Sequence, residues 1–298
     1  MERGTMSTIR EIVVLSGKGG TGKTSLVASL ASLVKEKILV DCDVDAANLN
    51  LLVNARVIEE QPFVAGSKAT IRPDACTACG RCREVCRFDA ISQGFVVDPL
   101  ACEGCGACYF LCPESAVTFG QTLAGHLYVG ETDEREMVVF AELLPGGENS
   151  GKLVAAVRTR ARELAERRQE KLILIDGPPG VGCPVISSLT GASTTLLVAE
   201  PTLSGIHDLE RTVGLAGHFQ IPVSVVVNKS DLNAEHTEKI RKLCEERKLQ
   251  FLGTVPYEPR VSEAQRQART ILEYAPDCPA SHAIRDIFTK LQPTLEVS

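Results

Sequence analysis

Two groups of residues carry chemistry by type and spacing alone. The first is Gly17-Lys18-Gly19-Gly20-Thr21-Gly22-Lys23-Thr24, which satisfies G-x-x-x-x-G-K-S/T and is followed by Ser25. Glycines let successive backbone N–H groups turn inward on phosphate oxygens, and the start of a following helix adds its positive dipole end. Lys23 would reach the β- and γ-phosphates, and the Thr24 hydroxyl would hold Mg²⁺. The second is a run of thiols. Cys76, Cys79, Cys82 and Cys86 recur in the same spacing, offset by 26 residues, as Cys102, Cys105, Cys108 and Cys112. Repeated four-thiolate sets point to bound metal. Iron–sulfur cubanes suit these short intervals far better than zinc ribbons, which use longer ones.

Other polar residues can be added to the first group. Asp176 follows the apolar run Leu172–Ile175 and precedes Gly177-Pro178-Pro179-Gly180. An acid at a strand end beside the loop strand can hold Mg²⁺ through water. Asp41, Asp43 and Asp45 follow a second apolar run, where three close acids could equally be a polar loop. Asn228-Lys229-Ser230-Asp231 reads as a base-recognition stretch, since a carboxylate can accept from guanine N1 and N2, and Pro256-Tyr257 could line a base too. Gly146 to Lys152 repeats the G-x-x-x-x-G-K spacing. Leu153 stands there in place of a hydroxyl, and Glu148 puts negative charge where phosphate would sit, so the segment reads as a helix start. Cys244 and Cys278 read as packing residues.

Strands and helices must hold these residues in place. Strands are expected at Ile9–Leu15, Lys37–Val40, Leu172–Ile175, Thr194–Ala199, Val223–Val227 and Phe251–Val255, with short ones at Tyr128–Val129 and Met137–Phe140. Helices are expected from the loop to about Lys35, over Gly151–Arg168, and near Gly205–His218, Asn233–Arg247, Val261–Leu272 and Ser281–Leu291. Short apolar strands alternating with helices mean an α/β fold, a mostly parallel sheet covered by helices on both faces. The cysteine block interrupts that alternation and reads as an inserted small α+β module. About fifty residues bury too little core to stand alone, so bound clusters should help hold it together.

The 298 residues are 44% hydrophobic and 23% charged, with a net charge of −6. That acidic balance gives no general reason to bind nucleic acid. No apolar run is long enough to span a membrane, and no signal-peptide core follows Met1, so a reducing cytoplasm is expected. Met6 is a candidate initiator.

Lys18, directly after the first glycine, gives K-G-G-x-G-K-T. With Asp176-Gly177-Pro178-Pro179-Gly180, the chain resembles the MinD/ParA-type P-loop ATPases, a group that includes the nitrogenase iron protein and scaffold-type iron–sulfur carriers. The resemblance covers Ile9–Val53 and Leu172–Leu291. It implies that Lys18 reaches across a nucleotide-sandwich dimer to the partner's phosphates, as an arginine finger does. It implies that Asp43 orients the attacking water and joins Thr24 and Asp176 around Mg²⁺, and that Asn228 contacts adenine, favouring ATP over GTP. Cys183, seven residues after Asp176, resembles a cluster-ligating switch II thiol, with a buried thiol as the alternative.

The cysteine block resembles the bacterial two-cluster ferredoxins, in which the fourth cysteine of each run serves the other cluster. One 4Fe–4S cluster would then use Cys76, Cys79, Cys82 and Cys112, and the other Cys86, Cys102, Cys105 and Cys108. Arg87 stands where a proline usually follows Cys86. The chain thus resembles MinD-type ATPases with an inserted ferredoxin module. Residues 1–68 and 121–298 would form the ATPase domain and residues 69–120 the insertion. The expected activity is slow, partner-stimulated ATP hydrolysis coupled to electron transfer, in a homodimer or a heterodimer with a paralogous ATPase, acting on a redox or metal-cofactor partner protein. A nucleotide-controlled carrier of iron–sulfur or other metal centres is the alternative. A positioning protein is the weakest expectation, because Ser281–Leu291 is followed by Gln292-Pro293 and lacks a basic amphipathic membrane tail.

Overall fold

In the computed structural model, which describes residues 9–295, a β-branched run forms the central strand β1 (Arg10–Ser16). The Gly-rich loop leads into α1 (Lys23–Ala31), followed by β2 (Lys37–Asp41), α2 (Leu49–Leu52) and a 16-residue strand, β3 (Arg56–Ile71). Two five-residue helices, α3 (Arg81–Val85) and α4 (Ala107–Leu111), precede β4 (Val117–Glu131) and β5 (Met137–Leu143). The chain then alternates: α5 (Ser150–Arg168), β6 (Leu172–Pro179), α6 (Cys183–Leu189), β7 (Thr194–Ala199), α7 (Leu203–His218), β8 (Val223–Asn228), α8 (Ala234–Glu246) and β9 (Gln250–Val255). Three helices close it, α9 (Arg260–Arg266), α10 (Ile271–Tyr274) and α11 (Pro279–Leu295). Met6 lies outside the described residues. No helix among the described residues is long and apolar enough to cross a membrane.

Among the described residues the sheet has nine strands, in the order β3-β4-β5-β2-β6-β1-β7-β8-β9. From β5 to β9 every neighbouring pair is parallel. Because strand side chains alternate between faces, β1 and its neighbours offer two apolar surfaces. Ile12, Val14, Leu39, Leu174 and Leu196 cluster with Leu26, Val27 and Leu30 of α1 and with Ile284, Ile287 and Leu291 of α11. The alternate residues Val13, Leu15, Ile38, Val40 and Ile173 are buried as well. On that second face Glu11 accepts from Arg158 Nε of α5 at 3.1 Å. The same arginine donates to the carbonyls of Ser187 and Thr190, at 2.6 and 2.7 Å, tying α5 to the end of α6.

The described chain divides into two compact units. One holds the residues up to Glu60, Leu127–Ala141, and the chain from Gly151; the other holds Gln61–His126 and Glu142–Ser150. The core of the second unit is Ala69, Ile71, Ala90, Ile91 and Val117, packed with Cys82, Cys102 and Cys108. Gly80 and Gly106, at φ 84° and 80°, turn the chain immediately before α3 and α4.

Three local expectations change. β4 runs far beyond Tyr128–Val129 to pair with β3, a strand the sequence did not mark because it buries little apolar surface and carries Pro62 and Gly66, so no period of two shows. The single helix expected over Val261–Leu272 is two helices, parted at Ala268 (φ 49°) and restarted by a Thr270–Glu273 capping box. α11 continues through Pro293 to Leu295; the proline removes the N–H that would bond the Thr289 carbonyl, and the helix ends two residues later.

Candidate functional site

The phosphate-type loop is braced from behind by the segment after β8. Asn228 Nδ2 donates to the Thr21 carbonyl at 2.7 Å, and Lys229 Nζ donates to the Gly20 carbonyl at 2.9 Å. Gly20 and Gly22 have φ of 79° and 86°, which only glycine adopts without strain. A Cβ on Gly22 would also lie 2.3 Å from Asn228 Nδ2. With carbonyls drawn outward, the loop lines a cleft of about 560 Å³ together with Ser25, Asp43, Asn228, Pro256 and Tyr257.

Pairing of β6 with both β1 and β2 brings the acids to this loop. Asp176 lies opposite Val14 on one side and Asp41 on the other. It is fully buried, receives Lys23 Nζ at 2.5 Å on one oxygen, and accepts from Thr24 Oγ1 at 2.6 Å on the other. One carboxylate therefore gathers the lysine and the hydroxyl that the motif assigns to phosphate and Mg²⁺. Asp41 acts differently. Its oxygens accept from the backbone N–H groups of Asp43, Asn48 and Leu49 at 2.9, 2.9 and 3.0 Å. It holds the 43–49 loop and caps α2, whose own Asn48 side chain makes no cap. Burial first, then the neighbouring Asp176 charge, push the Asp41 carboxyl up to about 7. Burial likewise raises the half-buried Asp43, against the pull of Lys23, and raises the sealed Cys42 thiol.

Lys18 and Lys229 converge on Glu200, just past β7, at 2.8 and 2.7 Å. Burial disfavours the charged Glu200, but the two lysines outweigh it and hold its pKa below the ordinary glutamate value. Glu200, the loop-bracing role of Lys229 and the clamp at Asp41 were not assigned from the sequence. No signal along the chain marks Glu200; it follows β7, which lies against β1 on the side opposite β6 and Asp176. Asp231 does not line the cleft. Its carboxylate accepts from the Tyr257 backbone N–H at 2.6 Å and so fixes the Pro256–Tyr257 turn. Cys183 is an exposed thiol opening α6. Gly151 to Leu153 form the first turn of α5, with Leu153 buried, which matches the helix start read there.

In the second unit each thiol quartet has its own small cavity. Cys76, Cys79, Cys82 and Cys112 line one, and Cys86, Cys102, Cys105 and Cys108 line the other. The fourth cysteine of each run therefore faces the first three of the other. Gly104, at φ 61°, has no room for a side chain, since a Cβ would meet the Ser67 carbonyl oxygen at 2.3 Å. Among the described residues no three His, Cys, Asp or Glu side chains close on a single-ion site.

A family profile described as the CobQ/CobB/MinD/ParA nucleotide binding domain matches residues 12–271. The chain belongs to this family. An uncharacterized protein of Methanocaldococcus jannaschii is 35% identical over 231 residues, 76% of this chain and 81% of that protein. The iron-sulfur cluster carrier protein of the same organism is 20% identical over 312 residues, 99% of this chain and 88% of that one. The septum site-determining protein MinD of Pyrococcus horikoshii, solved in complex with Mg-ADP, aligns with a TM-score of 0.60 at 16% identity, over 96% of this chain and 97% of that chain. That likeness is one of fold, and it agrees with the mostly parallel sheet seen here.

Proposed function

We propose that this member of the CobQ/CobB/MinD/ParA family is a slow, partner-stimulated ATPase whose paired state is coupled to electron transfer through two 4Fe–4S clusters. The observation that carries the reading is the two cavities, each bordered by one complete thiol quartet, in the same chain as the braced phosphate loop. Four thiolates placed around a cavity suit a cubane, whose four iron corners each take one thiolate, better than a lone ion. When bound, the clusters would supply reversible one-electron storage.

The chain's own residues would do the rest. The loop N–H groups and Lys23 would bind and orient the phosphates, with Thr24, Asp43 and Asp176 around Mg²⁺. Asp43 would position the attacking water, and Asp41 would hold Asp43 by its backbone. Lys18 would serve the phosphates of a second copy or a paralogue. The base would lie toward Asn228, Pro256 and Tyr257, with ATP favoured over GTP. Asp231 would shape that end of the cleft through the Tyr257 backbone. Residues 69–120 would be the cluster module, and a cytoplasmic redox protein the partner. Cys183 would be a redox- or metal-active thiol where the copies meet.

A second reading, a carrier that delivers a cluster under nucleotide control, is favoured by the carrier protein that aligns over nearly the whole chain. Anaerobic purification with iron and sulfide analysis, followed by ATPase assays on oxidised and reduced protein, separates the two. Chelator-resistant iron and a redox-dependent rate are expected. Labile, transferable iron would favour the carrier, and absence of iron from anaerobically prepared protein would refute both.

A further inference from the structure

Glu200 occupies an unusual position for a carboxylate that belongs to no catalytic motif. β7 pairs in parallel with β1, with Leu15 opposite Leu197, so the residue after β7 emerges beside the start of the phosphate loop. Its side chain is only 11% exposed and meets two ammonium groups, Lys18 at 2.8 Å and Lys229 at 2.7 Å. The two lysines are not equivalent. Lys229 is tied in twice, since its Nζ also donates to the Gly20 carbonyl, and it takes a left-handed backbone (φ 54°) that is costly for a lysine. Lys18 has no second anchor for its ammonium and keeps 37% of its side chain exposed.

The backbone around Lys18 is fixed, while its ammonium is held, among the described residues, by Glu200 alone. Ser16 Oγ donates to the Lys18 carbonyl at 2.9 Å, and Gly17 is closed over by Asp208, whose Cβ would lie 2.1 Å from a Cβ placed there. Breaking one partly exposed ion pair is cheap, whereas stranding a nearly buried carboxylate is not. Here the carboxylate is never stranded, because Lys229 stays.

We propose that Glu200 is the resting-state holder of Lys18. It keeps the lysine on its own protomer and releases it when two nucleotide-loaded copies pair, retaining Lys229 as its counter-ion. Glu200 is thus a positioning residue that opposes pairing until nucleotide is bound. This rests on the reading above that Lys18 serves a second copy's phosphates.

The test is sedimentation velocity on the full, anaerobically prepared chain with Mg²⁺ and a non-hydrolysable ATP analogue. Wild type, Glu200→Gln, Lys229→Met, Lys18→Ala and the Lys18→Ala/Glu200→Gln double variant are compared. Glu200→Gln should pair at roughly three- to tenfold lower protein concentration, since one weak pair per copy no longer has to break. Lys229→Met should move the opposite way, because Glu200 then has only Lys18. In the Lys18→Ala background Glu200→Gln should change nothing. A loop merely loosened by the substitutions would move Glu200→Gln and Lys229→Met in the same direction. That result, an unchanged or weakened Glu200→Gln, or a gain that persists without Lys18, overturns the inference. A wild-type chain that does not pair with the analogue overturns the pairing reading and this inference together. A wild type that pairs beside an unresponsive Glu200→Gln removes this inference alone.

Discussion

Gly22→Ala tests how the phosphate loop is held. Gly22 has φ of 86°, and a Cβ there would lie 2.3 Å from Asn228 Nδ2. The left-handed backbone costs an L-residue about 1–2 kcal/mol. The contact also forces the Asn228 amide off the Thr21 carbonyl, now 2.7 Å away, and a hydrogen bond of that kind contributes about 1 kcal/mol. The two losses sum to roughly 2–3 kcal/mol, or about a 30- to 150-fold weaker ATP affinity if both fall on the binding-competent loop. Titration with a fluorescent ATP analogue measures this directly. Asn228→Ala alone should lose only the hydrogen-bond part. Because the clash and the hydrogen bond share one side chain, the double variant should bind better than the sum of the two single losses implies. Gly22→Ala binding within about threefold of wild type would refute the reasoning, and a strictly additive double variant would show that the Gly22 change does not act through Asn228.

Four further outcomes are expected. Lys23→Met leaves Asp176 buried with only Thr24 on its carboxylate, and ATP hydrolysis should fall by at least about a hundredfold in a phosphate-release assay; a wild-type rate would remove the site assignment. Asp41→Ala strips three backbone N–H groups of their acceptor, so kcat should drop more than ATP affinity and the melting temperature should fall, with about 1–3 kcal/mol at stake per unsatisfied buried group. Cys79→Ser and Cys105→Ser should each leave about half the wild-type iron, one cavity losing its cluster while the other keeps it. Burial pushes the Cys244 thiol from its ordinary 9.0 up to about 11, so the folded chain keeps a proton that the unfolded chain gives up between those values. Its contribution to stability is therefore whole below pH 9 and shrinks by roughly 2–3 kcal/mol as pH rises through 11, a slope that denaturant melts of Cys244→Ala should lack.

The alternation from α5 to β9 was readable, except for the seven-residue α6, because those strands are buried on both faces and bounded by turns; Thr194–Ala199 agrees to the residue. β3 was not, because a strand with little burial need not alternate. The phosphate loop and Asp176 stood out as short contiguous patterns with a chemical purpose. Glu200 did not, since an acid before a proline carries no such pattern, and its meaning depends on which strand lies next to β1.

By itself the sequence determined the parts that act within a few residues. These are the glycines that allow left-handed turns, the lysine and hydroxyl one helical step beyond them, and two thiol runs of equal spacing. Tertiary structure alone decided which distant residues complete them. Parallel pairing of β6 between β1 and β2 sets Asp176 against Lys23, although 153 positions separate them in the chain. The end of β7 supplies Glu200 to Lys18, and the end of β8 supplies Asn228 to Thr21, 207 positions away. A parallel sheet brings the ends of all its strands to one edge, so residues with no pattern in common along the chain meet there.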